Sequence, residues 1–174
     1  MRLKISGIVL SSSVIFERDK RIELLTQSHG RVTLLGKGGA ASKKRFAGRV
    51  EPTTVIEASV MRSGGMWPVS DCMVIEAFPK IREEFNRISI SMYLINLVRK
   101  ITVDHQPHPE LYALLLEALQ RLGKSDDALD MIKQSFEDRL VALEGIASHE
   151  YQSFHFSHCF AEYTGHTVIP PVMI

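Results

Sequence analysis

The chain has 174 residues, 45% of them apolar, enough to bury the core of one medium domain or two small ones. Charge is unevenly spread: thirteen Lys and Arg face seven Asp and Glu through residue 80, and eight face thirteen beyond it, so a basic half suited to a polyanion is joined to an acidic one. No run approaches the roughly 20 apolar residues of a membrane span, Met1 to Lys4 lacks a secretory signal's apolar run, and two distant cysteines, Cys72 and Cys159, indicate neither a disulfide framework nor a zinc ribbon; a cytoplasmic protein is expected.

The first half reads as short β-runs: Lys4 to Leu10, Ile22 to Thr26, Arg31 to Leu35, Thr54 to Met61 and Val69 to Phe78 are rich in β-branched and apolar residues and bounded by turn formers. His29-Gly30 marks a tight hairpin, because glycine supplies the positive φ it needs, and Ser63-Gly64-Gly65 marks another turn. No helix-length segment separates successive strands, so five strands with one long connection, Gly36 to Thr53, predict a small, partly open barrel.

The period changes at Pro79. Ile81, Phe85, Ile88, Met92, Ile95 and Val98 recur at steps of three and four, predicting one helix that ends near Ile101. Pro109 suits the first turn of a second helix carrying Leu111, Leu114, Leu115, Ala118 and Leu122. A third is predicted from about Ser125 to Glu144 on Leu129, Ile132, Phe136, Leu140 and Leu143, with Gly145 as its left-handed stop. Residues 147–174 show neither period and read as a short irregular tail. The predicted fold is therefore α+β: a five-stranded β-barrel over residues 1–78, a small α-helical domain over 79–146, and the tail.

The segment from Arg31 to Arg49 holds six cations, Arg31, Lys37, Lys43, Lys44, Arg45 and Arg49, and no acid. Set among Gly, Ala and Ser in a connection between strands, such long cationic side chains can track a phosphate backbone. Phe46, in their midst, is expected in the barrel core rather than stacked on a base. Gly36-Lys37-Gly38 is no phosphate-binding P-loop, since the upstream glycine is misplaced and Gly38 stands where a Ser or Thr would hold magnesium. His155, His158, Cys159 and His166 form only one knot of possible metal ligands, so no metal and no other cofactor is expected. The residues alone leave three readings open: a protein that binds DNA through its phosphates, a generic RNA-binding or ribosome-associated module, and a metal-dependent enzyme built on the tail histidines.

Order and spacing of several short motifs favour the first. Gly7-Ile8-Val9-Leu10, Asp19-Lys20, Leu24-Leu25-Thr26 with His29-Gly30-Arg31-Val32, Gly36-Lys37-Gly38, Arg45-Phe46 with Gly48, and Glu51-Pro52 resemble the start of the RecO family. The likeness continues through Glu76-Ala77-Phe78-Pro79, Tyr93-Leu94, Pro109-Glu110-Leu111-Tyr112, and Phe136-Glu137 with Arg139-Leu140, covering about residues 4 to 146. The resemblance implies an OB-type barrel joined to a helical domain, in a protein that is no enzyme: it binds single- and double-stranded DNA, anneals complementary strands without ATP, partners RecR and helps load RecA, in association with the nucleoid. It also implies that the helical half holds the acidic, apolar C-terminal tail of single-strand-binding protein, for which Lys133, Phe136, Arg139 and Leu140 are the candidates. Many members carry a four-cysteine zinc module after the third helix, where this chain has only Cys159.

Overall fold

The structure, a computed structural model, describes residues 2–39, 46–146, 156–167 and 169–173. They divide into two compact units, Met1–Ala77 with Thr102–Pro109, and Phe78–Ile101 with Glu110–Ile174.

In the first unit, β1 (Arg2–Ile15), β2 (Asp19–Thr26), β3 (Gly30–Gly36), β4 (Val55–Met61) and β5 (Trp67–Glu76) close into a barrel in the order β1-β2-β3-β5-β4. All neighbouring pairs are antiparallel except β3 and β5, which run parallel through Leu34↔Trp67 and Leu35↔Pro68. This is the OB-type architecture expected, except that the barrel is closed where a partly open one was predicted, because β1 is long enough to pair with both β2 and β4. β1 reaches twice the length its apolar run suggested because it serves two partners: Arg2–Ile8 pair with β4, and Gly7–Ile15 with β2.

Strict alternation fills the interior with Ile22 and Leu24 of β2, Val32 and Leu34 of β3, and Ile56, Ala58 and Val60 of β4. In β5 the inward residues are Trp67, Val69 and then Cys72. Register jumps there from Val60↔Val69 to Ser59↔Asp71, so Ser70 is an extra residue in a bulge and the phase of the strand flips past it. A second jump, between Val9 and Ser11, lets β1 turn from one partner to the other. Gly7 lies in the stretch that both partners share, and any Cβ there would stand 2.4 Å from the Leu25 carbonyl oxygen.

The second unit is helical: α1 (Pro79–Glu83), α2 (Phe85–Ile101), α3 (Pro109–Lys124), α4 (Leu129–Glu144) and α5 (Phe156–Thr164). The single helix expected from Pro79 to Ile101 is thus two. Glu84 is extended, at φ −123° and ψ 122°; its carbonyl accepts the Ile88 N–H and its carboxylate holds Arg87 Nε at 2.8 Å, so it restarts the helix. Around the restart Phe85 and Ile88, expected in the core, are exposed, whereas Ile81, Ile95 and Val98 are buried as expected, in company with Arg87, Ile90, Leu94 and Leu97. Arg87 is buried because it has work at the end of α3, donating to the carbonyls of Leu122 and Ser125 at 2.6 and 3.2 Å, acceptors that a helix C-terminus leaves without partners.

α3 buries the residues its period named, and α4 buries Ile132, Phe136 and Leu140 and ends at Gly145 in the left-handed region, φ 63°. It starts later than expected, at Leu129, because Ser125 to Ala128 are held in a turn in which Ser125 Oγ accepts the Asp127 N–H. α5 forms in a stretch that shows no clear helical period in sequence. No described helix is long and apolar enough to cross a membrane.

Candidate nucleic-acid interface

The basic connection between β3 and β4 begins and ends under restraint. Gly38 N–H donates to Asp19 Oδ1 at 2.8 Å, and Gly39 N–H closes a turn onto the Gly36 carbonyl. Phe46 and Val50 are fully buried in the barrel core, so Phe46 is an anchor, as its surroundings in sequence suggested. Gly36 and Gly39 make room for its ring: a Cβ on either would come within 3.1 Å of it. Between these fixed points lie Lys43, Lys44 and Arg45, outside the described residues.

Of the other expected cations, Lys37 and Arg49 are exposed. Arg49 extends one guanidinium nitrogen to the Cys72 carbonyl of β5 at 3.3 Å, which steadies the loop's far arm against the barrel. Arg31 differs: only 22% exposed, its Nε donates to Asp104 Oδ1 at 2.6 Å, and it ties the segment Thr102–Pro109 to β3 together with the His105 N–H to Arg31 carbonyl bond. Next to Arg49, Cys72 is buried; burial, with Asp71 adding to it, pushes its thiol up, against the opposing pull of Arg49 and Lys20.

Thr102–Pro109 packs where sequence indicated only a connection. His105 stacks on Trp67 at a centroid distance of 5.6 Å and an interplanar angle of 16°, while His29 meets the same indole edge-on. Together with Phe16, Arg21, Thr33, Gly64, Gly65 and Met66, His105 lines a groove of about 600 Å³. Sequence reasoning missed this groove. Its one legible sign was Phe16 itself, an aromatic in a charged turn between two strands.

In the helical unit, α3 and α4 meet along Leu114, Ala118, Ile132 and Phe136, and the seam opens beside Arg121 and Arg139. Arg139 pairs with Glu117 at 2.8 Å, both about half exposed. Lys133 is otherwise engaged: it pairs with the buried Glu137 at 2.9 Å, lies 5.5 Å above the Tyr93 ring, and Tyr93 donates its hydroxyl to the same Glu137 at 2.5 Å. Phe136 lines the seam at 2% exposure and Leu140 is fully buried, so neither apolar candidate is exposed, and Arg121 lines the seam with Arg139. His155 lies outside the described residues, as do the side chains of His158 and Cys159, and among the described residues no group of three or more His, Cys, Asp or Glu could hold a metal.

Two family models account for nearly the whole chain: Recombination protein O N terminal matches residues 1–78, and Recombination protein O C terminal matches residues 82–161. Among similar proteins, the DNA repair protein RecO of Anaeromyxobacter sp. (strain K) is 35% identical over 123 residues, 70% of this chain and 48% of its own. That of Myxococcus xanthus is 37% identical over 121 residues, 69% of this chain and 50% of its own, and that of Acetivibrio thermocellus 29% over 145 residues, 83% and 58%. The chain therefore spans about half the length of the curated relatives it matches. With both halves of the family matched in order, one on an OB-type barrel and the other on the helices that follow it in sequence, this chain belongs to the RecO family of DNA repair proteins.

Proposed function

We propose that this chain binds DNA as a non-enzymatic recombination mediator, with phosphates of single and double strands held by the loop between β3 and β4. The observation that carries this reading is the loop's composition and mounting. Six cations and no acid fall between Arg31 and Arg49, and the loop hangs from a barrel at two fixed points, Gly38 and Phe46. Lys37, Lys43, Lys44, Arg45 and Arg49 contact phosphate, and Arg31 braces the barrel behind them. Charge spread along a loop neutralises two strands at once and lowers their mutual repulsion, which is the physical basis for annealing. RecR and RecA loading enter through the same family reading, as does cytoplasmic residence at the nucleoid.

The helical unit would hold the acidic tail of single-strand-binding protein over the seam of α3 and α4. Glu117 and Arg139 form an exposed pair, worth at most about 1 kcal/mol, that an incoming carboxylate can displace.

The test is the salt dependence of binding. Each phosphate contact on a single strand contributes about −0.7 to the slope of log K against log salt. Replacing Lys43, Lys44 and Arg45 together by alanine should flatten that slope by about 2 and weaken binding alike for unrelated DNA sequences. A folded triple variant that keeps both wild-type affinity and wild-type slope overturns the loop as the DNA site. Selective binding of RNA, without strand annealing, favours the generic RNA-binding module instead.

A further inference from the structure

We infer that the barrel carries a contact site for a second copy of this chain, at the outer edge of β1 over residues 11–15, where two copies join edge to edge as antiparallel strands. The contact goes beyond the DNA reading above, and only its consequence for annealing rests on that reading.

The edge is open. β2 runs beside β1 from Gly7 to Ile15, but β4 accompanies it only as far as Ile8. Val9 still bonds on the β4 side, donating to the Thr54 carbonyl at 2.8 Å and accepting the Thr53 N–H at 3.0 Å. Past the bulge that follows Val9, no strand among the described residues lies on that side of residues 11–15. Ser11, Ser13 and Ile15 turn their backbone groups to Glu23, Arg21 and Asp19 of β2, so by alternation Ser12 and Val14 turn theirs away from the sheet. Val14 is 57% exposed, and Phe16, where the edge ends, 76%.

It is also unguarded. Proteins blunt such edges with charge, proline or a covering segment, because a free row of N–H and C=O groups pairs with any extended chain. This barrel does so elsewhere. β5 pairs with β3 only through Trp67 and Pro68, and beyond them it carries Asp71 and receives the Arg49 guanidinium on its Cys72 carbonyl. β1 itself opens with Arg2 and Lys4. Leu10-Ser11-Ser12-Ser13-Val14-Ile15-Phe16, by contrast, contains neither a charge nor a proline. An exposed, uncharged edge in a fold that guards its others marks a surface meant for contact.

What fits this edge is the edge itself. In an antiparallel pair about a two-fold axis at Ser13, Ser12 of one copy meets Val14 of the other and exchanges both backbone bonds with it, and the reciprocal pair does the same, four bonds in all. Serine leaves room for the branched valine opposite, and no like charges meet, since the segment has none. Both ends limit the seam to this length: Thr53 and Thr54 already occupy Val9, and the chain leaves the strand direction at Phe16 and Glu17, at φ 47° and 62°. So short a contact falls below the roughly 1,200 Å² of lasting interfaces, which makes the dimer transient and sensitive to local concentration. Asp19, the partner of Ile15 in register, holds Gly38 at the root of the basic loop. Three strand spacings across the seam and four residues along it separate the two copies of Asp19, roughly 20 Å. Two copies joined in this way hold two DNA strands side by side, and a shared strand in turn brings the copies together.

The experiment follows the oligomeric state of the full chain by analytical ultracentrifugation, up to a concentration on the order of 100 µM, alone and on a single strand long enough for two copies. The wild type should show a concentration-dependent dimer that the shared strand strengthens. Val14→Pro removes an outward N–H and Val14→Lys adds the missing guard, both at an exposed position that makes no ladder bond to β2. Proline takes away two of the four bonds of each dimer, so the dissociation constant should rise at least about tenfold, with affinity for a strand too short for two copies unchanged. In a Cys159→Ser background, Ser13→Cys should cross-link two copies in oxidised glutathione, because directly opposed residues of a non-hydrogen-bonded pair lie within disulfide reach. Arg18→Cys, exposed but off the seam, should not. A wild type that stays monomeric with and without DNA refutes the contact, as do folded Val14 variants that dimerise like the wild type, or cross-linking equal at positions 13 and 18. None of these results bears on the basic loop, which stands or falls with the salt slope of the Lys43/Lys44/Arg45 variant.

Discussion

Gly30 is the position where one methyl group should matter most in the barrel unit. It lies at φ 65°, and a Cβ there would stand 2.1 Å from the Gln106 carbonyl oxygen and 2.4 and 2.7 Å from the carbonyl carbon and amide nitrogen of the same residue. No rotamer relieves a clash between backbone and backbone, so in Gly30→Ala the segment Thr102–Pro109 must leave β3. That movement breaks the Arg31–Asp104 pair, the His105 N–H bond to the Arg31 carbonyl, and the stack of His105 on Trp67. The left-handed backbone costs a non-glycine residue about 1–2 kcal/mol. The lost hydrogen bond adds roughly 1 kcal/mol, and the half-exposed ion pair at most another. Gly30→Ala should therefore destabilise the chain by about 2–4 kcal/mol in urea unfolding. Trp67 is the only tryptophan and is 1% exposed, so its fluorescence reports on this site alone. Its emission should shift to the red in the folded variant as His105 leaves. Unfolding and emission both indistinguishable from wild type would refute the reasoning.

Two further outcomes are expected. Replacing Arg121 and Arg139 together by alanine should weaken binding of an acidic C-terminal tail peptide at least about tenfold, the loss of one or two charge-assisted bonds, as read by fluorescence anisotropy. Lys133 is a poor choice for that test, because its removal strands the buried carboxylate of Glu137. Cys72, its thiol pushed up by burial, loses its proton later in the folded than in the unfolded chain. Its contribution to stability is thus complete below the unfolded thiol's pKa and is lost as pH rises through the folded one. In a Cys159→Ser background, Cys72 should alkylate at near the rate of unfolding at neutral pH, and a rate equal to that of a free thiol contradicts its burial.

Barrel and helices were legible in the sequence to different depths. Four of the five strands declare themselves as β-branched and apolar runs between turn formers, and Gly30 and Gly145 through the positive φ that their turns require. The β1 strand did not show its length, because its C-terminal half, Ser11 to Ile15, pairs along β2 with little burial and so carries no apolar signature. The break at Glu84 was invisible for the converse reason: the apolar spacing continues across it, and only the bonds made by Arg87 explain the restart. Of the site, the cationic loop could be read directly from charge. The groove could not, since its wall comes from Thr102–Pro109, far from Phe16 in sequence, and a stack of His105 on Trp67 has no local pattern to betray it.

The seam between β1 and β4 also has a meaning in time. Lys4 and Glu57 pair across it at a separation of 53 residues, and β4 is secured on its other side only by β5, which ends at Glu76. Contacts this distant in sequence form slowly, because the entropy of closing the intervening loop is lost before any of them is gained. As the chain emerges from the ribosome, β1, β2 and β3 can join as a meander at once, but the outer edge of β1 must wait, unpaired, until β4 and β5 have been made. Its N-terminal end, with Arg2 and Lys4, is suited to that interval, since cations on a waiting edge discourage its pairing with another chain.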